Sequence, residues 1–372
     1  MHIILESSAL LHQQTGIGRY NLELAKGLQK SNDIEHLSYY VDNRVIDDFN
    51  QIKKMQYNKP RTYPLATKPF RIVKNYVRKQ RVKHQCENSL VHATNFFLPE
   101  CAQSGVTTVH DLSIFKYPET HPKERIEQFE KHFLKSLERT LHIITDSKAV
   151  KEEVMAFFGW DKEKISVAYL GVASAFRPRD NPDVAFLKKY GLSENGYTLC
   201  VSTIEPRKNI GKLLDAYEHL SYSVKKRWPL VLIGGYGWHF ETIMKKIEKA
   251  QKEGWVIRPG YVSEEELFLF YQHAHLFVYP SEYEGFGLPV AEAMASGVPV
   301  ITSDRSCLPE VASGAGLVVN PDDDRSFLEA LEKGLDDALW RSKARIEGIE
   351  VASRYNWDKC VKDTIEIYKG LK

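Results

Sequence analysis

The chain has no CxxC pair, and its five cysteines, Cys86, Cys101, Cys200, Cys307 and Cys360, are odd in number and widely spread. That usage points to neither a disulfide framework nor a zinc site, and it fits a reducing compartment. Long apolar runs are missing too. No segment approaches the roughly 20 residues needed to cross a bilayer, so a soluble or peripheral protein is expected. The opening Met1-His2-Ile3-Ile4-Leu5 runs straight into Glu6 and leaves no room for a charged leader and apolar core. Secretion is therefore not expected, and a cytoplasmic location is. Short-period repeats and low-complexity tracts are also absent.

One further absence is local. Residues 49–86 contain no Asp or Glu, but do contain Lys53, Lys54, Lys59, Arg61, Lys68, Arg71, Lys74, Arg78, Lys79, Arg81 and Lys83, although the whole chain carries a net charge of only +2. Such a run can be an ordinary solvated face. It can equally be drawn to an anionic acceptor or leaflet, where each basic residue contributes on the order of 1 kcal/mol. Ile72, Val73, Tyr76 and Val77 interleave with the charges, as an interfacial amphipathic helix requires. Nucleic acid would satisfy the same electrostatics, but no nucleic-acid-binding module surrounds the run, and none is expected as a partner.

With 372 residues and 43% hydrophobic content, the chain exceeds what one core usually supports, so two domains are expected. Apolar runs at 3–5, 90–93, 106–109, 141–145 and 165–170 read as strands, separated by helical patterns at 21–30, 123–140 and 149–158. A second series of strands follows at 197–202, 230–233, 255–257, 275–278, 298–302 and 317–319, with helices at 210–220 and 264–273 among them. Alternation of this kind specifies α/β architecture: two doubly wound, Rossmann-like parallel-sheet domains, 1–175 and 176–354, hinged near residues 171–178. In open parallel sheets the ligand sits beyond the carboxyl ends of the strands, which is where polar residues carry most weight.

The most informative stretch is Glu284-Gly285-Phe286-Gly287-Leu288-Pro289, followed by a helical pattern that contains Glu292 and ends near Gly297. Gly285 and Gly287 let backbone approach a ligand closely, Pro289 suits a first helical turn, and the helix start favours a phosphate. Carboxylates beside a phosphate site suit a hydroxyl-rich phosphate ester, because they accept hydrogen bonds from sugar hydroxyls. Arg207 and Lys208 stand just before a helix, an unfavourable place for cations unless an anion lies between, and so read as diphosphate ligands. His110 closes an apolar strand and reads as a hydrogen-bonding group for a transferred moiety. Gly16-Ile17-Gly18 reads as a short loop facing phosphate or acceptor; Asn21 replaces the third glycine of a dinucleotide fingerprint, which disfavours a dehydrogenase. Asp322-Asp323-Asp324 precedes a helix and reads as its cap, so no metal or other cofactor is expected.

In this order, Gly16-Ile-Gly-Arg, Thr145-Asp-Ser-Lys, Gly171-Val-Ala, Phe176-Arg-Pro, Glu205-Pro-Arg-Lys-Asn, Gly260-Tyr-Val-Ser and the EX7E pattern from Glu284 to Glu292 resemble the retaining glycosyltransferases of family 4, of GT-B fold, over most of the chain. The resemblance implies a cleft between two Rossmann-like domains, with the helix of about 355–372 crossing back onto the first. It implies that Glu292 holds the donor ribose and Glu284 the sugar hydroxyls, and that the amides of Gly285, Phe286, Gly287 and Leu288 face sugar and phosphate. Arg207 and Lys208 would stabilise the departing diphosphate, His110 would contact the sugar, and Tyr261 and Val262 would flank the base. Gly16 and Gly18 would lie at the donor, though adjacent glycines are commoner there. The implied activity is metal-independent transfer from a nucleotide-diphosphate sugar, GDP-mannose or a UDP-sugar, to a lipid-linked glycan of cell-surface polysaccharide. A nucleotide-sugar 2-epimerase and a non-catalytic nucleotide-sugar-binding subunit are the alternatives.

Overall fold

The structure, a computed structural model, describes residues 1–11, 16–55, 68–179, 181, 183–260 and 262–371. The chain divides into two compact units. Unit 1 combines Met1–Leu112, Glu127–Leu170 and Trp357–Lys372, and unit 2 combines Ser113–Ile126 with Gly171–Asn356. The division by contacts falls after Leu170, and Val172 N donates to Tyr355 O at 3.0 Å within unit 2. The grouping of Ser113–Ile126 with unit 2 has no signal in the apolar pattern.

Unit 1 is built on a seven-stranded sheet among the described residues, in the order β3-β2-β1-β4-β5-β6-β7. Its strands are β1 (His2–Glu6), β2 (His36–Val41), β3 (Arg44–Ile46), β4 (Leu90–Ala93), β5 (Gly105–Val109), β6 (Thr140–Thr145) and β7 (Ile165–Val167). The central strands are short apolar runs buried on both faces, as parallel strands under crossover helices must be. The sequence pattern misses β2 and β3. They form an antiparallel edge hairpin whose turn, Asp42 and Asn43, has positive φ at both residues, and its short strands mix exposed and buried positions rather than form an apolar run.

The helix Gly16–Lys30 follows β1, and the final helix, Trp357–Gly370, packs on it. A Cβ at Gly27 would stand 2.4 Å from Val361, so only glycine permits this approach. Tyr368 OH and His92 Nδ1 hydrogen-bond at 2.6 Å in the interior. Burial, and then the charge of His110, push His92 down to about 3 and keep it neutral.

The basic run is partly visible. Residues 56–67 and the side chains of 53, 54 and 61–75, Ile72 and Val73 among them, lie outside the described residues. The helix Lys68–Glu87 exposes Tyr76 (64%) and Val77 (60%), and buries Val82 and Cys86 nearer its end.

Unit 2 carries six parallel strands among the described residues, in the order β10-β9-β8-β11-β12-β13. They are β8 (Thr198–Val201), β9 (Leu230–Ile233), β10 (Val256–Ile257), β11 (Leu276–Tyr279), β12 (Val300–Ser303) and β13 (Leu317–Val319). Leu213, Tyr217, Leu230, Leu276, Ile301 and Phe327 share its core. The strand order turns back between β8 and β11, so the loops leaving those two strands lie side by side at the sheet's carboxyl edge.

Replacing Tyr368 by Phe leaves His92 Nδ1 without its partner in a buried site and is expected to destabilise the protein by about 1–3 kcal/mol in urea titration. A change below about 0.5 kcal/mol would show that this bond does not anchor the last helix.

Candidate functional site

Adjacency of β8 and β11 decides what meets at the site. After β8 the chain makes a short turn, Pro206–Lys208, and passes through Asn209 at φ 53° into the helix Ile210–His219. After β11 it runs through Ser281 to Glu284, and Glu282 N donates to Arg207 O at 2.8 Å, tying the two loops. Lys208, with a side chain only 9% exposed, donates from Nζ to Glu284 Oε1 at 2.5 Å. The same oxygen accepts from Tyr279 OH at 2.8 Å and Ser281 Oγ at 2.6 Å. Arg207 lies 3.9 Å from Glu284 Oε2, donates to Tyr283 O at 2.5 Å and pairs with Glu205 at 2.8 Å.

Burial alone would raise the Glu284 pKa, but Lys208 and then Arg207 hold it below its usual value, so the carboxylate is charged. Two cations, Arg207 and Lys208, are thus matched by two carboxylates, Glu205 and Glu284. A phosphate that enters can take over the cations while the freed carboxylate oxygens accept hydrogen bonds from hydroxyls. That exchange suits an ester carrying both groups.

Beyond Glu284 the chain turns through Gly287 into the helix Leu288–Ala295, with Pro289 in its first turn and no side-chain cap among the described residues. Gly287 has φ 86°, and a Cβ there would meet Leu308 at 2.6 Å, so both backbone and space demand glycine. Gly285 is buried, Leu288 is half-buried, and the Phe286 ring packs edge-on against Tyr355, which leaves backbone rather than the ring to face a ligand. Glu292 is buried in the helix and accepts from Tyr271 OH at 3.0 Å. Val262 is half-buried just before the helix Glu264–Gln272, and Tyr261 lies outside the described residues.

Unit 1 holds the remaining candidates. His110 follows β5, where Nδ1 lies 2.7 Å from Asp146 Oδ2 and Nε2 lies 2.8 Å from Thr94 O. Thr94 and Asp146 follow the flanking strands β4 and β6, so the sheet order sets this trio. Burial opposes charge on the ring, yet Asp146 and the Thr94 carbonyl raise the His110 pKa. An acceptor at each nitrogen favours the doubly protonated ring. Both ring nitrogens are thus engaged within unit 1. Gly16 and Gly18 differ from the expected loop. They lie in the first turn of the Gly16–Lys30 helix, not in a loop, with Gly16 exposed and Gly18 buried. Asn21, at the position of the missing third glycine, donates to Glu6 O and Thr94 Oγ1, both at 2.6 Å, stitching this helix to two strand ends.

Sequence reasoning missed Tyr279 and Ser281, which fix Glu284, and gave no role to Glu205, Asp146 or Tyr271. Tyr279 ends β11, and Ser281, Glu205 and Asp146 stand two, four and one residues past strand ends, which was the available signal; Tyr271 lies in the helix Glu264–Gln272 and gave none. It also missed Ser113–Ile126, from which Tyr117 packs on Tyr283 at 5.2 Å and Lys116 stands 5.0 Å above the same ring. As for the acidic triplet, Asp323 caps the helix Asp324–Asp336, while Asp322 pairs with Lys212 at 2.7 Å and Arg305 at 2.6 Å.

The chain matches two family profiles: "Glycosyltransferase Family 4" over residues 14–176 and "Glycosyl transferases group 1" over residues 185–350. It is 37% identical to O-antigen chain mannosyltransferase B of Escherichia coli, over the whole of both chains. It is 28% identical to O-antigen chain mannosyltransferase RfbU of Salmonella typhimurium, covering 96% of each. Among solved structures it resembles sucrose-phosphate synthase of Thermosynechococcus elongatus, with a TM-score of 0.73 at 20% identity, covering 99% of this chain and 98% of that one.

Two outcomes test this geometry. Because the folded pKa of His110 is raised, its contribution to stability is complete below about 6.5 and is lost as pH rises through the folded value. Asp146→Asn should lower the His110 pKa, read by NMR titration, and flatten that part of the stability profile; an unchanged His110 titration would remove Asp146 as its partner. Gly287→Ala should destabilise by about 1–3 kcal/mol in thermal melts, and a neutral substitution would contradict the left-handed turn.

Proposed function

The chain belongs to the family 4, or group 1, glycosyltransferases, and on that premise we propose that it transfers mannose from GDP-mannose to a lipid-linked glycan of O-antigen type, retaining anomeric configuration without a metal. That it is a glycosyltransferase of GT-B fold rests on the two profiles, the full-length relative and the structural likeness. Mannose and the O-antigen acceptor are supported by the two relatives named for that activity. UDP-sugars are the competing donors.

The observation that carries the chemistry is the Glu284 carboxylate held by Lys208 with Arg207 beside it. In this reading Lys208 and Arg207 take up the charge that develops on the departing diphosphate, and Glu284 positions hydroxyls of the transferred sugar. Preset donors of this kind stabilise a transition state without reorganisation when the bond breaks. Glu292 would orient the donor ribose, and the backbone of Gly285 to Leu288 would face sugar and phosphate. Retention implies that the acceptor attacks from the face the nucleotide leaves, with a donor phosphate oxygen accepting its proton. No protein base is required.

No described helix is long and apolar enough to cross a membrane. A peripheral contact at the inner membrane face is the proposed use of the basic segment, supported by the exposed Tyr76 and Val77 on the helix Lys68–Glu87.

A thermal-shift panel of GDP, UDP, ADP and their sugars should single out GDP and GDP-mannose, since a ligand that binds only the native state raises the melting temperature. Incubation with GDP-mannose and membrane extract should then yield a mannosylated lipid, with turnover falling about 100-fold or more in Lys208→Ala. Absence of any nucleotide-dependent shift or sugar transfer, together with unimpaired Lys208→Ala, would overturn the reading.

A further inference from the structure

Two thiols that play no part in the site above meet in unit 1. Cys86 lies next to last in the basic helix Lys68–Glu87, and Cys101 lies in the connection between β4 and β5. Their Sγ atoms are 2.6 Å apart, within one apolar cluster formed with Ile4, Val82, Val91, Leu98 and Ala102. Cys86 is buried, whereas Cys101 is partly exposed and so within reach of a small oxidant. Packing from two separate elements, rather than a flexible loop, holds the sulfurs together. The other three cysteines are each buried, and Cys307 donates to Glu284 O at 3.1 Å.

We propose that Cys86 and Cys101 form a reversible dithiol–disulfide site that reacts with two-electron oxidants of the peroxide class. The thiols are not equivalent. Cys101 is the partly exposed thiol and the Arg139 charge favours its thiolate, whereas Cys86 is buried. Cys101 is therefore the sulfur that a peroxide reaches first, and Cys86 resolves it. The Cys101 thiolate attacks one peroxide oxygen, the O–O bond breaks, and the departing hydroxide takes up a proton to become water. Cys101 is left as the sulfenic acid. The Cys86 sulfur then displaces its hydroxyl, forming the S–S bond and releasing a second water with the Cys86 proton. In sum, two thiols and one hydrogen peroxide give one disulfide and two waters, with two electrons passing from sulfur to oxygen.

The bond would close a loop containing β4 and pin the end of the basic helix to the sheet of unit 1. The bond would lock covalently a helix end that packing alone seats in the reduced form. This site is independent of the proposed transferase chemistry, and its test needs no sugar donor.

Reduced full-length protein is treated with stoichiometric hydrogen peroxide, blocked with iodoacetamide and weighed intact. Residues 84–115 contain no Lys or Arg, so a glutamyl endopeptidase cutting after Glu87 and Glu100 is needed to separate the two cysteines. The expected result is a fall from the five free thiols of the sequence to three, a Cys86–Cys101 linked peptide pair, and full reversal by dithiothreitol. Cys86→Ser should abolish the link and leave Cys101 as the sulfenic acid, which dimedone traps. Retention of all five thiols in the wild type, sulfinic acid on Cys101 without a link, or a link only between molecules would each overturn the proposal.

Discussion

A buried ion pair, Lys208 with Glu284, organises the second unit's site. Placing an ammonium and a carboxylate in a protein interior carries a desolvation penalty of several kcal/mol per ion, which their mutual attraction repays only with good geometry and further hydrogen bonds. The molecule supplies both. Tyr279 and Ser281 complete the coordination of the carboxylate oxygen, and Arg207 stands beside the other one. Such a pair is weak evidence for stability as such. Its better-supported meaning is that a charged, oriented donor and acceptor are held ready in place, which is what ligand exchange with a charged ester demands.

The pair exists because of topology. Lys208 and Glu284 are 76 residues apart, yet β8 and β11 are neighbours and parallel, so the loops leaving their carboxyl ends run together. Unit 1 repeats the device in different chemistry. The ends of β4, β5 and β6 bring Thr94, His110 and Asp146 into one hydrogen-bonded group, with a buried imidazole in place of the ammonium. Among the described residues, Asp146 Oδ1 and Asn21 Oδ1 remain buried without hydrogen-bond partners, close to the same strand ends. Unit 1 therefore also concentrates polar groups at its carboxyl edge.

The architecture was legible because fully buried parallel strands leave continuous apolar runs, as 90–93 and 230–233 show; these coincide with β4 and β9. The edge hairpin β2–β3 was not, since its short strands mix exposed and buried residues and its Asp42-Asn43 turn is readable only with the pairing known. In the site, Arg207 and Lys208 stood out because cations before a helix are locally unfavourable, and Glu284 because it precedes a glycine turn at a helix start. Tyr279 and Ser281 did not stand out, for a tyrosine at a strand end is locally unremarkable and its bond to Glu284 depends on tertiary structure. The role expected of His110 came from its place after a strand, whereas the engagement of both its nitrogens depends on Asp146, a residue 36 positions away.

The most direct test of the account is a crystal structure of the protein with GDP bound. The distal phosphate should lie within hydrogen-bonding distance, about 3 Å, of Lys208 Nζ and the Arg207 guanidinium, with the Lys208–Glu284 contact loosened. A nucleotide bound elsewhere, with that ion pair intact and no phosphate against it, would contradict the claim that the pair is the preset receiver of the leaving group.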